Sequence, residues 1–272
     1  MISIDPIAFS VGYFPVRWYA LMYIAGFLCT WAIGIWRIRK GEITHLSSEE
    51  FFDFLIAGFA GGIVGGRLGY VFFYDFSYYW NNPLLIVSPF DQEGQYRGIF
   101  GMSFHGAVLG SMVTLWVRAK IQKKGIGNIF DMISLLAPLG IALGRLGNFL
   151  NGELYGRVTN VWWSIDFGDG KIRHPSQLYE MFLEGIILFF FLWCIRKKKF
   201  CPGVLFFFFL IGYASTRFFC EFFREPDAHL GFFFLDQFTL GQFLSIGMLI
   251  SGILGIWVVI KNQQSIFCRK NL

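Results

Sequence analysis

Seven apolar runs, each close to the length a helix needs to cross a bilayer, constrain this chain more than any other feature. They cover roughly residues 17–36, 51–73, 101–119, 129–149, 176–195, 203–224 and 238–260. A span takes about 20 apolar residues, and in hydrocarbon every backbone group must be paired inside its own segment, so each run is expected to be a helix. The chain is 55% hydrophobic and 15% charged over 272 residues, against roughly 45–50% and 25% for a soluble domain. The expected fold is therefore an all-α polytopic membrane protein with seven transmembrane helices, forming a single transmembrane domain over residues 1–272. Residues 1–12 lack the basic start of a cleavable signal, so the first run is expected to stay as a span.

The basic residues settle the expected orientation. Arg37, Arg39 and Lys40, then Arg118, Lys120, Lys123 and Lys124, then Arg196 to Lys199, then Lys261, Arg269 and Lys270 fall at alternate gaps between the runs. By the positive-inside rule this is the cytoplasmic side, which puts the N-terminus outside and the C-terminus inside. A net charge of +5 is thus spent on orienting helices, and nucleic acid is not expected as a partner. Two outer loops are rich in aromatic and turn residues. Residues 74–100, with Tyr78-Tyr79-Trp80-Asn81-Asn82-Pro83, are expected to form a periplasmic arm. Residues 150–175, with Trp162, Trp163 and Gly168-Asp169-Gly170, are expected to form a small periplasmic head.

In the second run, Gly58, Gly62 and Gly66 interleave with Gly61, Gly65 and Gly69. Glycines four apart form a groove into which a neighbouring helix packs, and no strand precedes them to make a phosphate-cradling loop. The five cysteines show no paired or metal-type spacing, so neither a disulfide framework nor a metal site is expected.

The polar residues converge at one depth. The stretch Gly144-Arg145-Leu146-Gly147-Asn148-Phe149-Leu150-Asn151-Gly152-Glu153-Leu154-Tyr155-Gly156 places charge at the outer end of the fourth run, where an ionisable group beside hydrocarbon is a functional candidate by default. His105 lies near the outer start of the third run, Tyr19 at that of the first, and Arg67 late in the second. Tyr213, Arg217, Glu221 and Arg224 share one face of the sixth, by their spacings of four, four and three. Several arginines facing few acids call for an anion, guanidinium binds phosphate bidentately, and phospholipid headgroups are the abundant anions there.

These stretches resemble the bacterial prolipoprotein diacylglyceryl transferases. The resemblance takes in Asp5-Pro6-Ile7, Trp18 to Tyr23, Gly65 to Tyr70, Gly101 to Gly106, Gly144 to Gly156, Arg173 to Glu180, Tyr213 to Ala228, and Gly241-Gln242. It implies transfer of the diacylglyceryl group of phosphatidylglycerol to the lipobox cysteine thiol of prolipoproteins, with release of glycerol phosphate. The site would face the periplasmic leaflet of the bacterial inner membrane. It also implies that Arg145 binds the lipid headgroup, that Tyr19, His105, Asn148, Glu153 and Gly156 matter for activity, and that Tyr213, Arg217 and Glu221 form a second cluster. No metal or organic cofactor is implied. The segment between Gly156 and Arg173 is short beside the larger outer head of some members.

The chemistry assigns expected roles. A thiol with a pKa near 8.5 must become a thiolate, for which His105 is the expected general base, and charge growing on a departing phosphate needs fixed donors, which Arg145 and Arg217 supply. Beyond these, the resemblance implies that Tyr19, Asn148, Glu153, Gly156, Tyr213 and Glu221 bind or orient substrate, and Arg67, at the same depth, is expected to join them. Two other classes use the same residues: a lipid transporter, disfavoured by apolar inner ends and the absence of internal repeats, and a scaffold whose polar groups only join helices. A transferase with the same donor and another acceptor is a closer rival, since no local feature identifies a peptide thiol.

Overall fold

The computed structural model describes residues 5–12, 14–88, 101–225, 232–234 and 238–270. The protein is mostly helical. Strands β1 (Ile7–Val11) and β2 (Phe14–Arg17) form an antiparallel hairpin whose turn begins at Gly12, a residue at φ 60°. The helices that follow are α1 (Trp18–Arg39), α2 (Ser48–Phe73), the short α3 (Phe76–Asn81), α4 (Phe104–Ile121), α5 (Ile126–Leu150), α6 (Ser176–Ile195), α7 (Val204–Cys220) and α8 (Leu240–Lys270). Two further small hairpins pair β3 (Ile165–Asp166) with β4 (Ile172–Arg173), and β5 (Phe232–Phe234) with β6 (Phe238–Thr239).

Among the described residues, α1, α2, α5, α6 and α8 are long and apolar enough to cross a membrane, and α7 is a shorter apolar helix. Each expected run contains a helix. The three hairpins depart from the all-α expectation, and their strands are too short to leave a signal against the aromatic background. Residues 89–100 of the expected arm and Pro226–Ala228 of the sixth-run motif lie outside the described residues.

The chain divides into two compact units, residues 37–129 and residues 1–36 with 130–272. In the first, α2 lies against α4 along the predicted glycine seam. A side chain at Gly61, Gly65 or Gly69 would run into the backbone of α4 at Gly110 or Gly106, and one at Gly106 or Gly110 would strike α2 in return. Two backbones come this close only where both lack Cβ atoms. Ser111 Oγ donates to the Gly58 carbonyl at 2.8 Å, adding a polar stitch. The start of α2 is fixed by a reciprocal box in which Ser47 and Glu50 each satisfy the other's backbone N–H.

In the second unit, Leu135, Leu188, Leu192 and Tyr213 form a buried core between α5, α6 and α7. Gly185 on α6 faces Ala142 on α5 so closely that any side chain at 185 would overlap it. Asp131 on α5 caps α7, accepting from Gly203 N at 2.7 Å and Phe206 N at 2.8 Å. Gly203 takes φ 98°, a left-handed conformation that glycine adopts without penalty.

Candidate functional site

The site is assembled around α6. Over Met181–Ile187 this helix widens into a π-type turn, a rare form that is frequent at functional positions. The turn carries Glu184, four residues after Glu180, and both side chains are 0% exposed. Two carboxylates inside an apolar helix need cations. The close approach of Gly185 to Ala142 brings α5 near enough for Arg145, three residues beyond Ala142, to supply one.

Arg145 Nε lies 3.2 Å from Glu180 Oε2, and its Nη2 lies 3.5 Å from Glu184 Oε2. From α7, Arg217 pairs closely with Glu180 Oε1, approaches Glu184 Oε1 at 3.6 Å, and meets Glu221 Oε2 at 2.7 Å. Arg224 adds a contact to Glu180 Oε1 at 3.5 Å. Glu221 is held in turn by Thr239 Oγ1, which donates at 2.9 Å, and a side chain at Gly241 would collide with its carboxylate. Tyr213 is buried one turn before Arg217.

Three guanidinium groups thus face three carboxylates, which corrects the expectation of arginines with few acids. The sequence reading weighed Glu221 and missed Glu180 and Glu184 as ion partners, although the rule that flagged Arg145 applies equally to two acids within an apolar run. Burying such a network is costly unless each charge is compensated. Here the compensation is mutual, and a cluster of guanidinium groups fixed by carboxylates is suited to receive an anionic group.

A second set of contacts fixes the loop after α5. Asn148 Nδ2 donates to Glu153 Oε1 at 2.9 Å, Gln177 Nε2 to the Glu153 carbonyl at 2.7 Å, and Ser176 Oγ to the Leu154 carbonyl at 3.3 Å. Leu154 adopts φ 56°, an uncommon conformation for a branched residue. Gly156 bridges to Arg224, and a Cβ there would strike the carbonyls of His174 and Phe223. The bare backbone at this position lets the loop pass close to residues 174 and 223. Tyr19 Oη lies 2.7 Å from Tyr23 Oη, and its backbone and ring lie against Gly147.

The segment carrying β3 and β4 follows this loop. Arg173 pairs with Asp169 at 2.7 Å and stacks over the Tyr155 ring at 4.5 Å. Asp169, held by Arg173, has its pKa lowered. Trp163 Nε1 donates to Tyr179 Oη at 2.5 Å, and Tyr179 Oη lies 3.1 Å from His174 Nδ1. An indole N–H can only donate, so Tyr179 Oη accepts from Trp163, and the direction of its bond with His174 Nδ1 is set by the imidazole tautomer. Burial pushes the His174 pKa below its ordinary value.

The remaining predicted residues belong to the other unit. His105 is the second residue of α4, exposed, and follows Ser103, whose Oγ caps the helix by accepting from Gly106 N at 3.3 Å. Arg67 is buried and donates to the carbonyls of Ile86, Leu85 and Gly101 at 2.6, 2.7 and 3.3 Å, with its guanidinium over the Tyr79 ring. These bonds tie the segment holding Leu85 and Ile86, and Gly101, to the C-terminal part of α2, a structural task the sequence alone does not reveal. Among the predicted residues the structure therefore gathers Arg145, Arg217, Glu221 and Tyr213 in one network and Asn148, Glu153 and Gly156 in the loop beside it, with Tyr19 packed against α5.

A multi-span membrane protein with a buried arginine–glutamate network at its helix ends is the class these features define. The sequence matches the family described as prolipoprotein diacylglyceryl transferase over residues 6–258. It is 42% identical over 258 residues to the phosphatidylglycerol–prolipoprotein diacylglyceryl transferase of Legionella pneumophila (strain Lens), covering 94% of this chain and 96% of that protein. The protein of that name from Coxiella burnetii (strain RSA 331 / Henzerling II) is 42% identical over 266 residues, with 96% and 97% covered. That from Pseudoalteromonas atlantica is 43% identical over 270 residues, with 97% and 92% covered. The chain belongs to the prolipoprotein diacylglyceryl transferase family.

Proposed function

We infer that this protein transfers the diacylglyceryl group of phosphatidylglycerol to the lipobox cysteine thiol of prolipoproteins, releasing glycerol phosphate, as the first step of bacterial lipoprotein maturation. The observation that carries this reading is the likeness, over more than nine-tenths of both chains, to proteins named for that transfer. It is a multi-pass protein of the bacterial inner membrane, a single transmembrane domain of seven spans with the N-terminus outside, the C-terminus in the cytoplasm and the site toward the periplasmic leaflet. Residues 74–100 form the arm and 150–175 the head. The alternating basic clusters support that orientation.

In the reaction the acceptor sulfur forms a bond to the terminal glycerol carbon as the carbon–oxygen bond to phosphate breaks, and glycerol phosphate departs with the electron pair. Arg145 and Arg217 hold the phosphate and stabilise the charge that grows on it. His105 takes the thiol proton as general base. Tyr19, Asn148, Glu153, Gly156, Tyr213, Glu221 and Arg67 bind or orient the substrate.

The test is incubation of the purified protein with phosphatidylglycerol vesicles and a lipobox peptide, read by mass spectrometry. A peptide carrying one diacylglyceryl group is expected, and R145A should abolish it. An unmodified peptide with the native protein overturns the assignment. Near-normal modification by R145A removes the headgroup role of that arginine.

A further inference from the structure

Glu184 is a buried charge to which the proposed reaction gives no role. It is 0% exposed, and among the described residues neither of its oxygens accepts a hydrogen bond. Its only ion contacts among those residues are the long ones, 3.5 Å to Arg145 and 3.6 Å to Arg217. The titratable groups around it are Glu180 on its own helix, Arg145 on α5, Tyr213, Arg217 and Cys220 on α7, and Arg224 just beyond α7. The other two carboxylates are better held. Glu180 meets three arginines and accepts a hydrogen bond from Arg217, and Glu221 forms an ion pair with Arg217 and accepts a hydrogen bond from Thr239.

The charge count then has a consequence. With three arginines and three glutamates ionised, the free network is neutral. A phosphodiester headgroup adds one negative charge that no cation in the network is left to match. It also draws Arg145 and Arg217 toward its own oxygens and away from the glutamates they already serve. A like charge near a carboxylate favours its protonated form, and of the three carboxylates Glu184 has the least to lose by accepting a proton.

We propose that Glu184 takes up one proton when the arginine pair binds a phosphodiester, so that headgroup binding and proton uptake are a single event. Glu184 is a positioning residue in this scheme. While ionised it competes with the lipid for Arg145 and Arg217, and once protonated it yields them. The proposal rests on the headgroup reading of Arg145 and Arg217 given above.

The experiment is calorimetric titration of the full-length, detergent-solubilised protein with a short-chain phosphatidylglycerol, in two buffers of small and large ionisation enthalpy. The native protein is expected to take up about one proton per lipid bound, and its Kd to rise about tenfold per pH unit where the free site holds Glu184 ionised and the complex holds it protonated. E184Q is expected to bind with no proton uptake and no pH slope, and more tightly than the native protein at neutral pH, because the competing charge is gone. Binding by the native protein without proton uptake overturns the coupling alone, as does an E184Q variant that keeps the pH slope or binds more weakly. Absence of any phosphatidylglycerol binding overturns the headgroup reading and the coupling with it. If E184Q does not fold, the two-buffer titration of the native protein decides the matter.

Discussion

The α2–α4 seam and the α5–α6–α7 network solve the same problem, joining helices in a solvent that rewards no hydrophobic contact, with opposite materials. The seam removes side chains until backbones touch, and its Gly61, Gly65, Gly69, Gly106 and Gly110 leave no room for a methyl group. The network inserts the most polar side chains available and relies on Arg145, Arg217, Glu180 and Glu184 compensating one another. A packing seam is insensitive to pH and ligand, because nothing in it changes charge. An ionic junction has alternatives, since an incoming anion can replace a carboxylate at an arginine. The contrast assigns rigidity to one joint and responsiveness to the other.

The largest effect should come from breaking the network. R217A leaves Glu180, Glu184 and Glu221 short of a cation, and loss of one partner from a buried ion network costs about 3–5 kcal/mol. Removal of a donor to the leaving group should also slow transfer by about 10²–10³-fold. Thermal unfolding in detergent and the peptide modification assay read the two losses separately. Unchanged stability would mean that the carboxylates are otherwise satisfied.

Next in size is R67Q, which strips charged donors from the Leu85, Ile86 and Gly101 carbonyls. The expected loss is at least the about 1.5–3 kcal/mol of one charge-assisted hydrogen bond, seen as faster proteolysis after residue 74. Intact arm protection in R67Q would remove its clamping role. G65V tests the seam itself. Overpacking of a tight contact costs about 1–3 kcal/mol, so a lowered melting temperature is expected while the pH dependence of lipid binding stays as in the native protein. A changed pH dependence would blur the distinction between the two joints.

The smallest effect is at His174. Its folded pKa lies below the ordinary 6.5 of an unfolded histidine. Between those values the unfolded chain binds the extra proton, so stability is fully present above about 6.5 and declines as pH falls toward the folded pKa. The head should loosen on mild acidification, and H174N should flatten that slope, as read by hydrogen exchange of the Trp163 indole.

What could be read beforehand follows from the same contrast. The seam was legible because Gly58 to Gly69 repeat at helical spacing and nothing else explains them. Arg217 and Glu221 were legible as an i, i+4 pair. Glu180 and Glu184 were visible letters with invisible partners, because pairing with Arg145 depends on how closely Gly185 lets two helices approach. The π-type turn leaves no compositional trace. The carbonyl partners of Arg67 were not legible, because they lie 18, 19 and 34 positions away and reach it only through the fold.

On α5 the interval from Asp131 to Arg145 is fourteen residues, and on α7 the interval from Gly203 to Arg217 is fourteen as well. At about 1.5 Å per residue, each arginine stands about 21 Å along its helix from the Asp131 cap, which joins α5 to α7 directly, while at the arginine level the two helices meet through Glu180 of α6. The Asp131 cap, about 21 Å from the arginines, keeps the two helices in register while an arriving headgroup exchanges partners at the other end.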